Sequence, residues 1–505
     1  MFKSFQGFTQ LEKIQKDKQH KRKRNVSWTT LKLLFIILIT CVVAVMPTEY
    51  FGIEGLTTTQ HRVIVMFIFA ALMWLTEALP SWVTSMVVVV VMLLTVSNSA
   101  FNFLIGNDEQ FGQLVKYADI MHCFANPTIM LFIGGFVLAI GMTKTKLDVA
   151  LARVLLKPFG TKSEIVLLGF ILVTAIFSAF VSNTATAAMM LAFLAPVLRS
   201  LPADGKGRIA LALAIPVGAN LGGMMTPIGT PPNLIVLDNL EKFNGISITF
   251  TEWMMRMIPF VLVLLFISWL LLRFLFPFKQ KNIEIKIDGE MRWDFHTIVV
   301  VATFVVTIFL WMFGKELWGL NTNVVAMIPI AAFCASGILQ RRDLEEINWS
   351  VLWMVAGGFA LGVALDNTGL GKTLINAIPF ATWSPLVVMI ISGLVCFVFS
   401  NFISHSAATS LLAPILGLVA SGILSPETST PEAISSFEAM GGASALMVGV
   451  AISASVSMIL PISTPPNAIA HSTGFIEQKD MMKVGISIGL IGLVLGYAML
   501  IFFKF

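Results

Sequence analysis

The sequence predicts an all-α polytopic membrane protein made of inverted repeats, with two re-entrant helical hairpins and two broken helices. Three observations carry that expectation. The 505 residues are 57% hydrophobic and only 12% charged, far from the roughly 25% charged residues of soluble domains. Apolar segments of about 18 residues or more recur along the whole chain. Polar motifs interrupt some of those segments, and they occur twice in the same order.

Residues 1–29 form a basic N-terminus, with Lys13, Lys16, Lys18, Lys21, Arg22, Lys23 and Arg24 ahead of a first transmembrane helix at 30–47. It is too long and too charged for a signal peptide. The net charge of +5 reflects topology rather than nucleic-acid binding, because its largest cluster abuts a membrane helix. A first repeat over 48–278 holds apolar segments at 61–79, 82–98, 126–143, 164–200, 208–238 and 257–278. After a basic linker at 279–294, a second repeat over 295–505 holds 295–313, 321–340, 350–370, 384–423, 441–470 and 481–503.

The segment 164–200 follows Lys144, Lys146, Arg153, Lys157 and Lys162 and precedes Arg199, Lys206 and Arg208. Basic flanks at both ends place both on the cytoplasmic side. It therefore dips in and returns, a hairpin with "SNT" at its tip. The segment 384–423 is followed by a loop with Glu427, Glu432 and Glu438 and no Lys or Arg, so that hairpin enters from the opposite face. With two hairpins and eleven spans, the basic loops sort inside and the loops near Glu49, Asp108, Glu241, Glu316 and Glu427 sort outside. This places the N-terminus in the cytoplasm and the C-terminus outside a cell (plasma or inner) membrane.

The halves match each other. "FSAFVSNTATA" from Phe177 pairs with "FSNFISHSAAT" from Phe399, "IGTPPNLI" from Ile228 with "ISTPPNAI" from Ile462, and "IGGFVLAIG" from Ile133 with "AGGFALGVA" from Ala356. Five spans and a hairpin per repeat make an odd number of crossings, so the second repeat is inverted. Broken helices in inverted repeats are the architecture of secondary transporters. Prolines stop the helices at "GTPPN" and "STPPN", and each break leaves helix N-termini with free N–H groups and a positive dipole end. Four such ends converging would suit an anion.

Other chemistry has little support. The sequence has no HExxH motif, no paired Cys/His spacing and no charged dyad in its apolar segments, which argues against an enzyme or a metal site. Cys41, Cys123, Cys334 and Cys396 read as packing residues. Glu77 reads as structural at a helix end, and Asp366 as capping or facing solvent. A channel is disfavoured because the breaks fall at repeat positions rather than in a pore ring.

"SNTATAAMM" at 182–190, the paired "TPPN" at 230–233 and 464–467, and "WLTEALP" at 74–80 resemble the divalent anion/sodium symporter family of dicarboxylate, citrate and sulfate transporters. The resemblance spans essentially the whole chain. It implies a scaffold domain, a mobile transport domain holding both hairpins, elevator-type alternating access and a homodimer. A cation (sodium) site would use Ser178, Ser182, Asn183 and the carbonyl near Gly229. Substrate would meet Ser182, Asn183 and Thr184 at one tip, Ser404, His405 and Ser406 at the other, and the turns at Thr230, Pro231, Thr464 and Pro465.

One departure stands out: the second family motif should also read S-N-T but is Ser404-His405-Ser406. An ionisable residue within the membrane is a functional hypothesis by default. His405 as an imidazolium could stand where sodium sits in symporters. The empty carrier would then hold an unpaired charge, which favours exchange of one C4/C5 dicarboxylate for another over sodium symport. A neutral histidine bonded to its neighbours, sodium symport, and a citrate or sulfate carrier are the alternatives.

Overall fold

The computed structural model describes residues 26–106, 110–202, 205–283, 293–377 and 383–503. The basic cluster from Lys13 to Arg24, Asp108 and most of the linker at 279–294 lie outside the described residues. The described chain is helical, with no β-strand beyond two isolated bridges. In order, the main helices are α1 (Val26–Val45), α2 (Thr58–Thr76), α3 (Ser81–Thr95), α4 (Pro127–Lys144), α5 (Ser163–Phe180), α6 (Asn183–Ser200), α7 (Gly207–Gly222) and α8 (Pro231–Asn244). There follow α9 (Phe250–Leu275), α10 (Phe295–Trp318), α11 (Met327–Ala335), α12 (Trp349–Asn367), α13 (Pro385–Phe402), α14 (His405–Leu424), α15 (Gly442–Ser455), α16 (Pro465–Ser472) and α17 (Gln478–Phe503).

Local chemistry sets several helix starts. Thr57 with Gln60 and Thr249 with Glu252 form reciprocal capping boxes at α2 and α9, and the Asp294 carboxylate accepts from Thr297 N at α10, each satisfying donors that a helix start leaves free. α2 ends on Glu77 in the left-handed region, at φ 49°, so Glu77 does sit at a helix end. Asp366 is exposed in the last turn of α12. Cys123 and Cys396 are buried, whereas Cys41 and Cys334 are exposed on the helix surface.

Among the described residues, eleven helices are long and apolar enough to cross a bilayer. Three of them, α5, α13 and α14, are hairpin arms; α3 and the Thr322–Ala335 pair are shorter apolar helices, and with the broken α15–α16 they occupy the segments expected to complete the eleven crossings. Contacts between loops sort the two faces as charge predicted. On the basic face, Lys144 pairs with Asp343 at 2.6 Å, Arg273 with Glu164 at 2.8 Å, and Arg208 stacks over Phe475. On the acidic face, Asn367 Nδ2 donates to Asp119, Gln60 Nε2 to Thr368 O, and Asn244 Nδ2 to Ser421 Oγ at 3.1 Å.

Both long interrupted segments are hairpins. Ser163 N, at the start of α5, donates to Lys281 O, while Gly207, just beyond α6, packs against Phe278. The first hairpin therefore leaves and returns beside one stretch, Phe278–Ile283. In the second hairpin, Trp383 and Ser384 before α13 share a cavity with Leu416 and Val419 late in α14, so its arms are antiparallel. Its far end lies at Asn244, on the acidic face. The two hairpins enter from opposite faces.

Each hairpin packs on its own repeat's broken helix, α5 on α7 and α13 on α15. The second half of each broken helix crosses to the other repeat, α8 against α14 and α16 against α6. That exchange brings the breaks of both repeats into one core. In the first repeat the approach is backbone on backbone: a Cβ at Gly222 would run into Ala175 Cα and its carbonyl.

Candidate functional site

The first tip is the Val181–Ser182 link between α5 and α6. Ser182 caps α6, its hydroxyl accepting from Ala185 N at 3.3 Å, and Asn183 opens the helix. Ser178 Oγ lies 2.6 Å from Asn183 Oδ1 and 2.7 Å from Ala219 O, the latter in the last turn of α7. One hydroxyl proton serves two acceptors, so three oxygens crowd a buried point. Gly223 lets the amide come close, since an added Cβ would lie 2.5 Å from Asn183 Oδ1 and displace that side chain. Gly229 in turn packs on the Gly223 backbone, and its N–H donates to Thr226 Oγ1 at 3.1 Å. Asn183 and Gly229 thus flank Gly223, and Ser178 joins Asn183 to the Ala219 carbonyl, while the Ser182 hydroxyl is turned to its helix cap.

The second tip has the same frame and different chemistry. Ser404 caps α14, accepting from Ala407 N at 3.2 Å, and His405 takes the position of Asn183. His405 is buried, and its Nε2 lies 2.6 Å from Ser457 O. A carbonyl only accepts, so that nitrogen carries the proton. Ser457 is the repeat counterpart of Gly223. The counterpart of Ser178 is Ser400, whose hydroxyl meets Cys396 Sγ at 3.8 Å.

The two proline turns complete the frame. Thr230 and Thr464 are the N-caps of α8 and α16, with Pro231 and Pro465 at the first helical position, where a missing N–H is no loss. Thr464 Oγ1 accepts from Asn467 N at 3.2 Å. Thr184 and Ser406 are half-buried, Thr230 and Thr464 buried, and Pro465 exposed. Turn hydroxyls hold the hairpins down, Thr226 Oγ1 on Ala179 O and Ser463 Oγ on Asn401 O at 3.1 Å. Four helix starts therefore stand at the breaks, and 178–184, 222–233, 400–406 and 456–467 contain no Lys, Arg, Asp or Glu.

Sequence reasoning passed over the asparagines that hold these breaks. Asn233 Nδ2 donates to Gly223 O and Thr226 O, and Asn467 Nδ2 to Met458 O and Leu460 O. Asn220 Nδ2 donates to Asn467 Oδ1 at 3.0 Å, tying one repeat's break to the other's. The repeated N of "TPPN" was the signal for the first two, and a lone Asn in "VGANLGG" for the third. A cation there finds only neutral oxygens (hydroxyl, amide and backbone carbonyl), the hard donors that sodium takes. Ser178, Asn183 and Ala219 fit it on that ground.

Comparison with known proteins agrees with this frame. A citrate transporter family model matches residues 71–434. An uncharacterized transporter of Haemophilus influenzae is 29% identical over 482 residues, covering 92% of this chain and 94% of its own length. The sodium-dependent dicarboxylate transporter SdcS of Staphylococcus saprophyticus is 27% identical over 508 residues, covering 94% and 91%. Among solved structures, the YdaH transporter of Alcanivorax borkumensis matches with a TM-score of 0.52 at 12% identity, covering 77% of this chain and 87% of that one. MtrF of Neisseria gonorrhoeae matches at 0.52 and 14%, covering 85% and 96%. At these identities the structural likeness concerns the fold alone. The chain belongs to the citrate transporter/divalent anion:sodium symporter family, a family of multi-pass membrane transporters and not of enzymes.

Proposed function

We propose that this family member is a secondary transporter of C4/C5 dicarboxylates in a cell membrane, exchanging one dicarboxylate for another by an elevator motion. The carrying observation is the set of four helix starts at breaks free of charged side chains apart from His405. Their dipole ends favour an anion. N–H groups in the first two positions are supplied by the hairpin tips, at Asn183 and Thr184 and at His405 and Ser406, because α8 and α16 open on paired prolines. Asn183, Thr184, Ser404, Ser406 and the turns at Thr230, Pro231, Thr464 and Pro465 offer directional contacts to carboxylate oxygens. The sodium-dependent dicarboxylate relatives support this substrate class ahead of citrate or sulfate.

The coupling reading rests on His405. Its Nε2–H uses the Ser457 carbonyl, the kind of oxygen a second cation would need. As an imidazolium it would offset part of the dianion's charge without dissociating. The empty carrier would then cross the membrane with an unpaired charge, which is costly, so return would require a bound counter-substrate. Sodium symport is the second reading, favoured by the three oxygens at Ser178, Asn183 and Ala219. There Ser178, Asn183 and the Ala219 carbonyl would hold sodium, with Ser182 and Gly229 beside them, and sodium would supply positive charge beside the dianion.

In the elevator reading, α5–α9 and α13–α17 carry the site past a scaffold of α1–α4 and α10–α12, and two copies pair through their scaffolds. The N-terminus lies in the cytoplasm.

Proteoliposomes with and without internal succinate test the coupling. Exchange is expected to show uptake of labelled succinate only into loaded vesicles. Strong sodium-dependent uptake into empty vesicles would establish symport instead. Competition by sulfate or citrate but by no C4/C5 dicarboxylate would overturn the substrate class.

A further inference from the structure

Asn220 sits in the last turn of α7, 1% exposed, and its orientation is dictated by groups on the other repeat. Asn467 Nδ2 faces the carbonyls of Met458 at 2.9 Å and Leu460 at 3.1 Å. Carbonyls only accept, so Asn467 must turn its nitrogen toward them and its Oδ1 toward Asn220. Asn220 must then present Nδ2 to that oxygen, at 3.0 Å. Its own Oδ1 is left buried with no donor among the described residues.

The first repeat lacks the matching bond. Asn233 holds Gly223 O and Thr226 O as Asn467 holds its two carbonyls, but the counterpart of Asn220 is Ala454. An alanine has nothing to donate, and Asn233 Oδ1 has no partner among the described residues. This amide link between repeats therefore runs one way, from the first repeat's helix to the second repeat's turn. Asn467 is also the residue whose N–H is bound by Thr464 Oγ1. A buried acceptor without a donor is destabilising, so stability alone is a poor reason to have an amide rather than an aliphatic side chain at 220.

We propose that Asn220 is a positioning residue that fixes Asn467, and through it the Thr464–Pro465 turn, so that the first repeat sets the second repeat's half of the substrate site. This rests on the reading of Thr464 as a substrate contact. Asn220→Leu fills a similar volume. It removes one unpartnered oxygen, Asn220 Oδ1, and creates another, Asn467 Oδ1, so the unfolding temperature of the substrate-free protein should stay close to that of the parent.

The succinate Kd by calorimetry should rise about tenfold, the loss of one fixed hydrogen bond. The rise in unfolding temperature on adding succinate should shrink with it. Asn220→Ala gives the same reading should leucine not pack. A lowered unfolding temperature without succinate, with the Kd and the succinate-induced rise unchanged, would show a structural role and overturn the proposal. Thr464→Ala is the control. If it weakens binding and the Asn220 variants do not, the positioning role alone falls. If Thr464→Ala leaves binding unchanged, the assignment of that turn to the substrate falls, and the positioning role with it.

Discussion

At the first hairpin tip a backbone lies directly on a backbone, whereas at the second a hydroxyl and an imidazole stand between. Gly222 and Gly223 of the first break correspond to Val456 and Ser457 of the second, and Ala175 of the first arm to Phe397. Gly222 presses on Ala175 and Gly223 on Asn183. In the second repeat Ser457 Oγ reaches Phe397 O at 2.9 Å, and His405 spans to Ser457 O. A short amide closes a narrow gap and a longer ring closes a wider one. The consequence is chemical: the first tip gathers three neutral oxygens at one point, and the second fills the matching place with an N–H. Under the proposed function, two repeats of one fold would divide the work, one offering oxygens to an ion and the other a fixed proton donor.

The largest effect should come from forcing the first tip to resemble the second. Gly222→Val puts a branched side chain into Ala175. Overpacking of this kind costs about 1–3 kcal/mol and sometimes more, in a helix where no neighbour is the end of a flexible chain. Loss of monodisperse protein on size-exclusion chromatography is the expected result. Recovery of folded protein with unchanged succinate binding would show that close docking is dispensable.

Asn183→Ala comes next, because it removes an amide shared by the oxygen cluster and the proposed substrate contact. One charge-assisted hydrogen bond is worth about 1.5–3 kcal/mol, so succinate affinity should fall roughly 10- to 150-fold while the fold survives. Unchanged calorimetric binding would move the site away from this tip.

Much of this asymmetry was legible in the sequence. The repeated tips and TPPN turns placed the breaks, and loop charges sorted the faces well enough that Lys144–Asp343 and Asn367–Asp119 meet on the sides expected of them. His405 stood out as a substitution within a repeat. The packing beneath did not stand out, because a glycine in an apolar run looks alike whether it packs on lipid or on Ala175. The roles of Asn220, Asn233 and Asn467 depend on carbonyls freed by the breaks, and such acceptors exist only once the chain has folded.

His405→Asn restores at the second tip the residue found at the first. If the imidazole stands in for a cation, the variant should gain sodium dependence, with uptake into vesicles lacking internal dicarboxylate rising several-fold when sodium is added. An unchanged requirement for internal dicarboxylate would remove His405 from the coupling mechanism and leave the difference between tips as a matter of packing.

The smallest effect is the sharpest discriminator between the tips. Ser178 and Ser400 are repeat counterparts, both fully buried. Ser178 Oγ has two oxygen neighbours, Asn183 Oδ1 at 2.6 Å and Ala219 O at 2.7 Å, and a single proton to give. A cation at that point would engage the lone pairs that the proton cannot, whereas among the described residues the Ser400 hydroxyl meets the sulfur of Cys396, at 3.8 Å, rather than an oxygen cluster. Ser178→Ala removes one neutral oxygen contact of about 0.5–1.5 kcal/mol. In the reading that places sodium at this tip, the half-saturating sodium concentration for succinate binding should therefore rise roughly 2- to 13-fold, with the Kd at saturating sodium unchanged. Ser400→Ala should leave both quantities where they were. Equal shifts in the two variants would mean that the tips bind sodium alike in spite of His405. No shift in either would mean that the Ser178 oxygens are held together by the amide of Asn183 turned the other way, its Nδ2 donating to Ser178 and Ser178 donating to Ala219, a network complete without any ion.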